Sequence, residues 1–213
     1  MPKPTSFVRK RHEYDDVYSL WFRNPGLRYE AGRYAHVLVG KVWLGDAVRE
    51  LSFASAPYEE ELMFTVHLGT GTRYKNRLEA LRPGDHVRVF LTGGDMVLPR
   101  EPVNQPLVLI AGGVGMAPFR SLILEAHRRG GLDLRVIQVQ RGRHLFRDEL
   151  EPLVAHYTGV QPEDFLDCVR AQAIATPEAL FYICGSDRLV TAARSELLRL
   201  GVAEHRMRIE NFH

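Results

Sequence analysis

The sequence predicts an antiparallel β-barrel followed by an α/β domain whose parallel sheet is covered by helices, and three observations lead there. Short alternating apolar and polar runs, separated by turn residues, fill about the first hundred positions. A polar linker, LPREPVNQP at residues 98–106, carries two prolines within five residues. Beyond it, apolar strands alternate with helical periodicity, the pattern of a sheet buried on both faces. The domains fall at residues 1–98 and 106–213, each long enough to build its own core.

In the first domain the strand-like runs are SFVRKRHEY, VYSLWFRN, RYAHVLVGKVW, RELSFAS, LMFTVHL and DHVRVFL. Asn24-Pro25-Gly26, Ala31-Gly32, Leu44-Gly45-Asp46, Pro83-Gly84-Asp85 and Gly93-Gly94-Asp95 separate them, since these residue types supply the dihedrals of turns. RYKNRLEAL, residues 73–81, sets Tyr74, Leu78 and Leu81 on one face and predicts a helix. In the second domain LVLIA predicts a strand, APFRSLILEAHRR a helix ending before Gly130-Gly131, LRVIQVQ a strand and FRDELEPLVAHY a helix. An irregular segment runs to about residue 178. ALFYIC then predicts a strand, DRLVTAARSELLRL a helix ending at Gly201, and HRMRIENF a last strand.

Composition excludes several classes. Hydrophobic content of 45% and charged content of 25% suit a soluble globular chain, and no apolar run reaches the roughly 18–20 residues of a membrane span. The basic N-terminus has no apolar core of a signal peptide behind it, so a cytoplasmic location is expected. A net charge of +2, spread along the chain, gives no footprint for nucleic acid. Cys168 and Cys184 cannot supply the four thiolates of a ferredoxin-type cluster, and the nine histidines lack metal-ligand spacing, so no metal is expected.

The stretch LIAGGVGMAPF, residues 109–119, runs from a buried strand through a glycine turn into a helix. Gly112, Gly113 and Gly115 permit unusual dihedrals and close approach to a phosphate, and the helix that follows presents unpaired N–H groups. Pro118 suits a first helical turn. A Rossmann turn would read GxGxxG where this one reads GxGxxP, and tight strand-on-helix packing is the alternative explanation. FYICGSDRLV sets Gly185 directly after another buried strand at the same sheet edge. Cys184 before it also reads as a small buried apolar residue.

In RELSFASAP, residues 49–57, Arg49 suits bidentate phosphate binding, and the Ser52 hydroxyl can give or accept a hydrogen bond at a ring nitrogen. For such a run in isolation, an exposed strand arginine and turn-forming serines are the commoner explanation. Its position in the chain is what adds weight: RELSFASAP, GTGTRYKNRLEALRPGD, IAGGVGMAPFRSLI, LFYICGSDRLV and IENFH follow in that order. In that order the chain resembles the ferredoxin-NADP(+) reductase-like superfamily of flavoprotein oxidoreductases over nearly its whole length.

The resemblance implies a flavin, usually FAD with FMN as the alternative, on the N-terminal barrel. It implies NADPH or NADH on a Rossmann-like C-terminal domain. By position, Arg49 would bind the flavin phosphates, Ser52 would hydrogen-bond near flavin N5, and Phe53, Ala54 and Ser55 would line the ring with their backbone. Gly112, Gly113, Gly115 and Pro118 would form the dinucleotide phosphate turn, with Cys184 and Gly185 beside the nicotinamide; Ser52 and Cys184 would be the catalytic pair.

Four features depart from the family. Leu51 stands where Tyr or Phe is usual, replacing a ring stack by an aliphatic contact. Lys75 stands where many members have a Ser or Thr on the phosphates, and reads as a point charge there or as an exposed helix lysine. The chain is short between LFRDELEPL and LFYICG, over residues 157–178, so part of the nicotinamide pocket is expected to be missing or reshaped. The terminus IENFH leaves Phe212 as the aromatic nearest the flavin.

After LRVIQVQ come Arg141-Gly142-Arg143-His144 with no acid until Asp148, which favours NADPH over NADH; a solvated basic loop is the other reading. Glu210 reads as a surface glutamate, with a polar role beside the nicotinamide as its alternative. The expected activity is hydride transfer from NAD(P)H to the flavin, then electron delivery to a separate protein such as ferredoxin or flavodoxin. Rival readings are an electron-transfer module of a multi-subunit enzyme, a free-flavin reductase, and a non-enzymatic protein retaining the fold.

Overall fold

The computed structural model describes residues 2–40, 47–101 and 104–212. The expected Leu44-Gly45-Asp46 turn, the last residues of the RYAHVLVGKVW run, Pro102-Val103 of the linker and the final His213 lie outside them.

The first six strands form one antiparallel sheet. They are β1 (Lys3–Tyr14), β2 (Val17–Arg23), β3 (Tyr34–Val39), β4 (Val48–Ser52), β5 (Glu61–His67) and β6 (His86–Gly93). Their order is β4-β3-β6-β1-β2-β5, and an antiparallel bridge between Phe53 and Phe64 joins the two ends, closing the sheet on itself. Phe7, Leu20, Phe22, Val37, Phe53 and Phe64 fill the interior. Helix α1 (Arg73–Glu79) caps it with buried Tyr74 and Leu78, and Thr72 accepts the Lys75 N–H at its start.

The second sheet is parallel, in the order β11-β10-β7-β8-β9. Its strands are β7 (Leu107–Gly112), β8 (Leu134–Val139), β9 (His156–Val160), β10 (Leu180–Ser186) and β11 (Met207–Phe212), interleaved with α2 (Met116–Arg129), α3 (Arg147–Leu150), α4 (Phe165–Ala175) and α5 (Asp187–Arg199). Along β7, Leu107, Leu109 and Ala111 face one core while Val108 and Ile110 face the other, as the unbroken apolar run requires. From β7 the chain steps outward through β8 to β9, then returns past β7 to β10. The strand order therefore reverses between β7 and β10, where open α/β sheets bind ligands at their carboxyl ends.

One expected helix is corrected. FRDELEPLVAHY holds only the four residues of α3 and a 3-10 turn over Glu151–Leu153 before turning into β9. Pro152 has no N–H for the Asp148 carbonyl and ends the helix. The segment read as irregular, residues 157–178, supplies most of β9 and all of α4, whose Phe165, Val169 and Ala173 pack under the sheet.

The two sheets share a core. Ala31, Ala54, Met63, Met96 and Leu98 of the barrel pack with Ala117, Phe119 and Leu122 of α2. Gly32 is part of this seam: its φ is +85° and a Cβ would lie 1.8 Å from the Met96 carbonyl oxygen. Among the described residues no helix is long and apolar enough to cross a membrane.

Candidate functional site

A cleft of about 1230 Å³ opens between the barrel and the carboxyl edge of the parallel sheet. Arg49, Leu51, Ser52 and Lys75 line it from the barrel, while Gly112, Gly113, Gly185 and Phe212 line it from the sheet. It exceeds the ~300–1,000 Å³ of an ordinary small-molecule pocket.

On the sheet side, Gly113 adopts φ +54° and a Cβ there would meet nothing nearer than Gln140 Oε1 at 3.6 Å. Gly115 begins α2 with no side-chain cap on the helix's first N–H groups. A Cβ on Gly115 would lie 2.3 Å from the Cys184 carbonyl oxygen, so this glycine lets α2 sit against β10. The turn thus serves both readings made from the sequence: Gly115 is required by packing, and Gly113 leaves open backbone on the cleft.

On the barrel side, the Arg49 guanidinium lies 5.7 Å from the Tyr74 ring centroid and donates to its neighbour's carbonyl, Val48, at 2.7 Å. Leu51 is half-buried. Partial burial pushes the Lys75 ammonium below its ordinary pKa. Ser52 is buried, and its Oγ–H donates to Oε1 of Glu210 at 2.6 Å, a contact across 158 residues of chain.

Glu210 is therefore not the surface residue expected. It is half-buried on β11 and lines the cleft. Burial raises its pKa, the Ser52 hydrogen bond lowers it by less, and the nearby Glu50 carboxylate raises it further. The net effect is a carboxyl that holds its proton more strongly than usual.

Arg141 also lines the cleft, and the remaining sequence candidates lie behind its surface. Phe53 is fully buried, stacked on Tyr29 at 3.8 Å. The Ala54 and Ser55 carbonyls accept from Arg120 Nη1 at 2.8 Å and Ser121 Oγ at 2.7 Å, so this segment docks α2 onto the barrel. Gly115 and Pro118 are buried in the turn and helix. Cys184 is buried, its thiol pushed well above the ordinary range by desolvation and secondarily by Glu210.

The sequence reading did not single out Arg120, Tyr14 or Glu163. Arg120 pairs with Glu59 of the barrel and Glu149 of α3, joining the domains beneath the cleft. Tyr14 lines the cleft with its hydroxyl buried and without a partner, and burial with the acidic neighbours Asp15 and Glu13 pushes its pKa up to about 12. Glu163 ion-pairs with Arg141. Each depends on residues brought together only by the fold.

The donor set suits a phosphate-bearing ligand with an aromatic ring. Arg49 and Lys75 supply positive charge, Gly113 open backbone, Leu51 an apolar face, and Tyr14 an unsatisfied hydroxyl. A closed barrel joined to a doubly wound sheet, with a cleft at the switch point, defines a two-domain class whose cleft lies where open α/β sheets bind ligands.

Known proteins agree with that class. No family model matches the chain. The flavohemoprotein of Bordetella pertussis is 29% identical over 155 residues, 62% of this chain and 38% of that protein. That of Pseudomonas aeruginosa is 30% identical over 162 residues, 72% of this chain and 40% of that protein. The chain spans less than two thirds of the length of these curated relatives. Among solved structures, the flavohem-like FAD/NAD binding domain of nitric oxide dioxygenase from Vibrio cholerae superposes with a TM-score of 0.82 at 21% identity, covering 99% of this chain and 98% of that one. A ferredoxin NADP+ reductase from Neisseria gonorrhoeae, with bound FAD and NADP, gives 0.83 at 22% identity with the same coverage. The chain thus has the fold of the ferredoxin NADP+ reductase and of the flavohem-like FAD/NAD binding domain, and its sequence is similar to part of the flavohemoproteins.

Proposed function

We propose that the chain is a flavin-dependent oxidoreductase that accepts hydride from NADPH or NADH and passes electrons to a separate acceptor. One observation carries this reading. Ser52 and Leu51 of the barrel face the same cleft as the glycine turn and Gly185, and Ser52 is hydrogen-bonded across it to Glu210. FAD, or FMN in its place, would lie on residues 1–98 and the nicotinamide on residues 106–213.

A bound flavin would supply two-electron acceptance with release of single electrons. The chain's part is positioning. Arg49 and Lys75 offset phosphate charge, and the Gly113 backbone admits a second phosphate group. Leu51 gives the ring an aliphatic surface. Glu210 fixes the Ser52 hydroxyl and can hold a proton at the cleft floor. Cys184 acts from beneath, setting the depth of the floor beside Gly185.

The test is spectroscopic. The purified chain should be yellow, absorbing near about 450 nm, and should bleach on anaerobic mixing with NADH or NADPH. A colourless protein that binds neither FAD nor FMN overturns the reading; a yellow one that neither nicotinamide bleaches overturns the hydride-transfer part. A second reading, an electron-transfer module of a larger assembly, draws on the chain matching only 38% of the Bordetella pertussis relative. Under that reading it reduces a one-electron dye but not free ferredoxin or flavodoxin.

A further inference from the structure

The glycine turn leads outward to an acid. Gln140, just beyond β8, donates its backbone N–H to the Val160 carbonyl at 3.1 Å and places Oε1 toward Gly113. Its side-chain amide donates to the Arg141 carbonyl at 3.2 Å. Arg141, on the cleft wall, donates from Nη2 to Oε1 of Glu163, which follows the cleft-lining Pro162. From the phosphate turn outward the series is Gly113, Gln140, Arg141, Glu163. Sequence spacing offered no acid near Arg141; the fold brings one from 22 residues away.

We propose that Glu163 makes this end of the cleft select an unphosphorylated ribose, so that the hydride donor is NADH; this rests on the NAD(P)H reading above. A carboxylate accepts a ribose hydroxyl, and by pairing with Arg141 it occupies the guanidinium that would meet a 2′-phosphate. That phosphate carries about −1.5 to −2 charges at neutral pH. At roughly 5–6 Å from a carboxylate, even in a water-like medium, the repulsion weakens binding on the order of tenfold. Arg188 also lines the cleft, but it follows β10, two strand spacings from β8, or about 10 Å. Arg143, like Glu163 itself, is exposed and off the cleft wall, but Glu163 is tied to the wall through its ion pair with Arg141.

The test compares NAD+ and NADP+ binding by calorimetry, with NADH and NADPH reduction rates, in the flavin-loaded wild type, Glu163→Gln and Arg141→Gln. The wild type should bind NAD+ about tenfold more tightly than NADP+. Glu163→Gln should shift that ratio about tenfold toward NADP+, mainly through tighter NADP+ binding, while Arg141→Gln should gain no NADP+ affinity. A wild type that binds NADP+ as tightly as NAD+, or a Glu163→Gln ratio that moves less than twofold, overturns the inference and leaves the oxidoreductase reading standing. A wild type that binds neither nucleotide overturns that reading itself.

Discussion

Replacing Arg120 by methionine tests what holds the cleft's two walls together. The side chain is 9% exposed and all five of its N–H donors are used. Nε bonds Glu149 at 2.9 Å; Nη1 bonds the Ala54 carbonyl and Glu59, each at 2.8 Å; Nη2 bonds Glu59 at 3.0 Å and Glu149 at 2.6 Å. Methionine keeps the stem and removes every donor. Breaking a fully buried ion pair costs about 3–5 kcal/mol. Here Glu59 and Glu149 are 31% and 39% exposed and can rehydrate, so the expected loss is smaller, roughly 2–4 kcal/mol. For a chain of this size that lowers the melting midpoint by on the order of 5–15 °C. Thermal and urea melts of the wild type, R120M and R120K measure it, lysine recovering part of the loss with three donors on one charge. An R120M midpoint within about 1 °C of the wild type would refute the clamp.

Glu210→Gln gives a pH-dependent result with a fixed sign. Because the folded carboxyl's pKa is raised, its contribution to stability is full below its ordinary value of 4.5 and is lost as pH rises through the raised value. The amide still accepts from Ser52, so E210Q should melt with the wild type near pH 4 and above it at pH 8; a wild-type advantage at pH 8 would contradict the burial argument. Gly115→Ala should cost about 1–3 kcal/mol or more, since its Cβ would meet the Cys184 backbone. Gly112→Ala meets only Leu189 Cδ1, at 2.4 Å, and a rotamer shift of about 1 kcal/mol relieves it; urea melts that reverse this order would refute the packing account. With the disulfide reagent DTNB at pH 8, at most one thiol, the half-exposed Cys168, should react in the native protein and both after unfolding. Two native thiols would show that Cys184 is accessible.

The sequence was most legible where one residue's neighbours along the chain decide its state. The apolar run at 107–111 reads as a strand buried on both faces, and among the described residues the turn signals fall between the barrel strands because Gly, Pro, Asn and Asp act locally. It was least legible between residues 146 and 178. There the helical period of FRDELEPLVAHY is overridden by Pro152 and by the open edge of β8, which pairs Arg135–Val139 with His156–Val160. The helix α4 did carry a signal, with Phe165, Val169 and Ala173 spaced by four, but the irregular flanks concealed it.

Site residues divide along the same line. Arg49, Ser52, Gly112, Gly113 and Gly185, which line the cleft, each sit in a short motif whose chemistry is local. Arg120 and Glu163 carried no such signal and Glu210 read first as a surface residue, because each meets its partner 66, 22 or 158 residues away along the chain. These long-range contacts do different work at different depths. Arg120 fixes the barrel to α2 beneath the cleft, Ser52–Glu210 joins the two walls at its floor, and Arg141–Glu163 sets the charge at its rim. If the clamp and the floor contact are coupled, R120M should weaken more than stability. It should loosen the Ser52–Glu210 contact and thereby reduce the pH dependence that Glu210 contributes to the melting midpoint. A double-mutant comparison of R120M, E210Q and the pair reads that coupling directly, and strictly additive midpoint shifts at pH 8 would mean that floor and clamp are held independently.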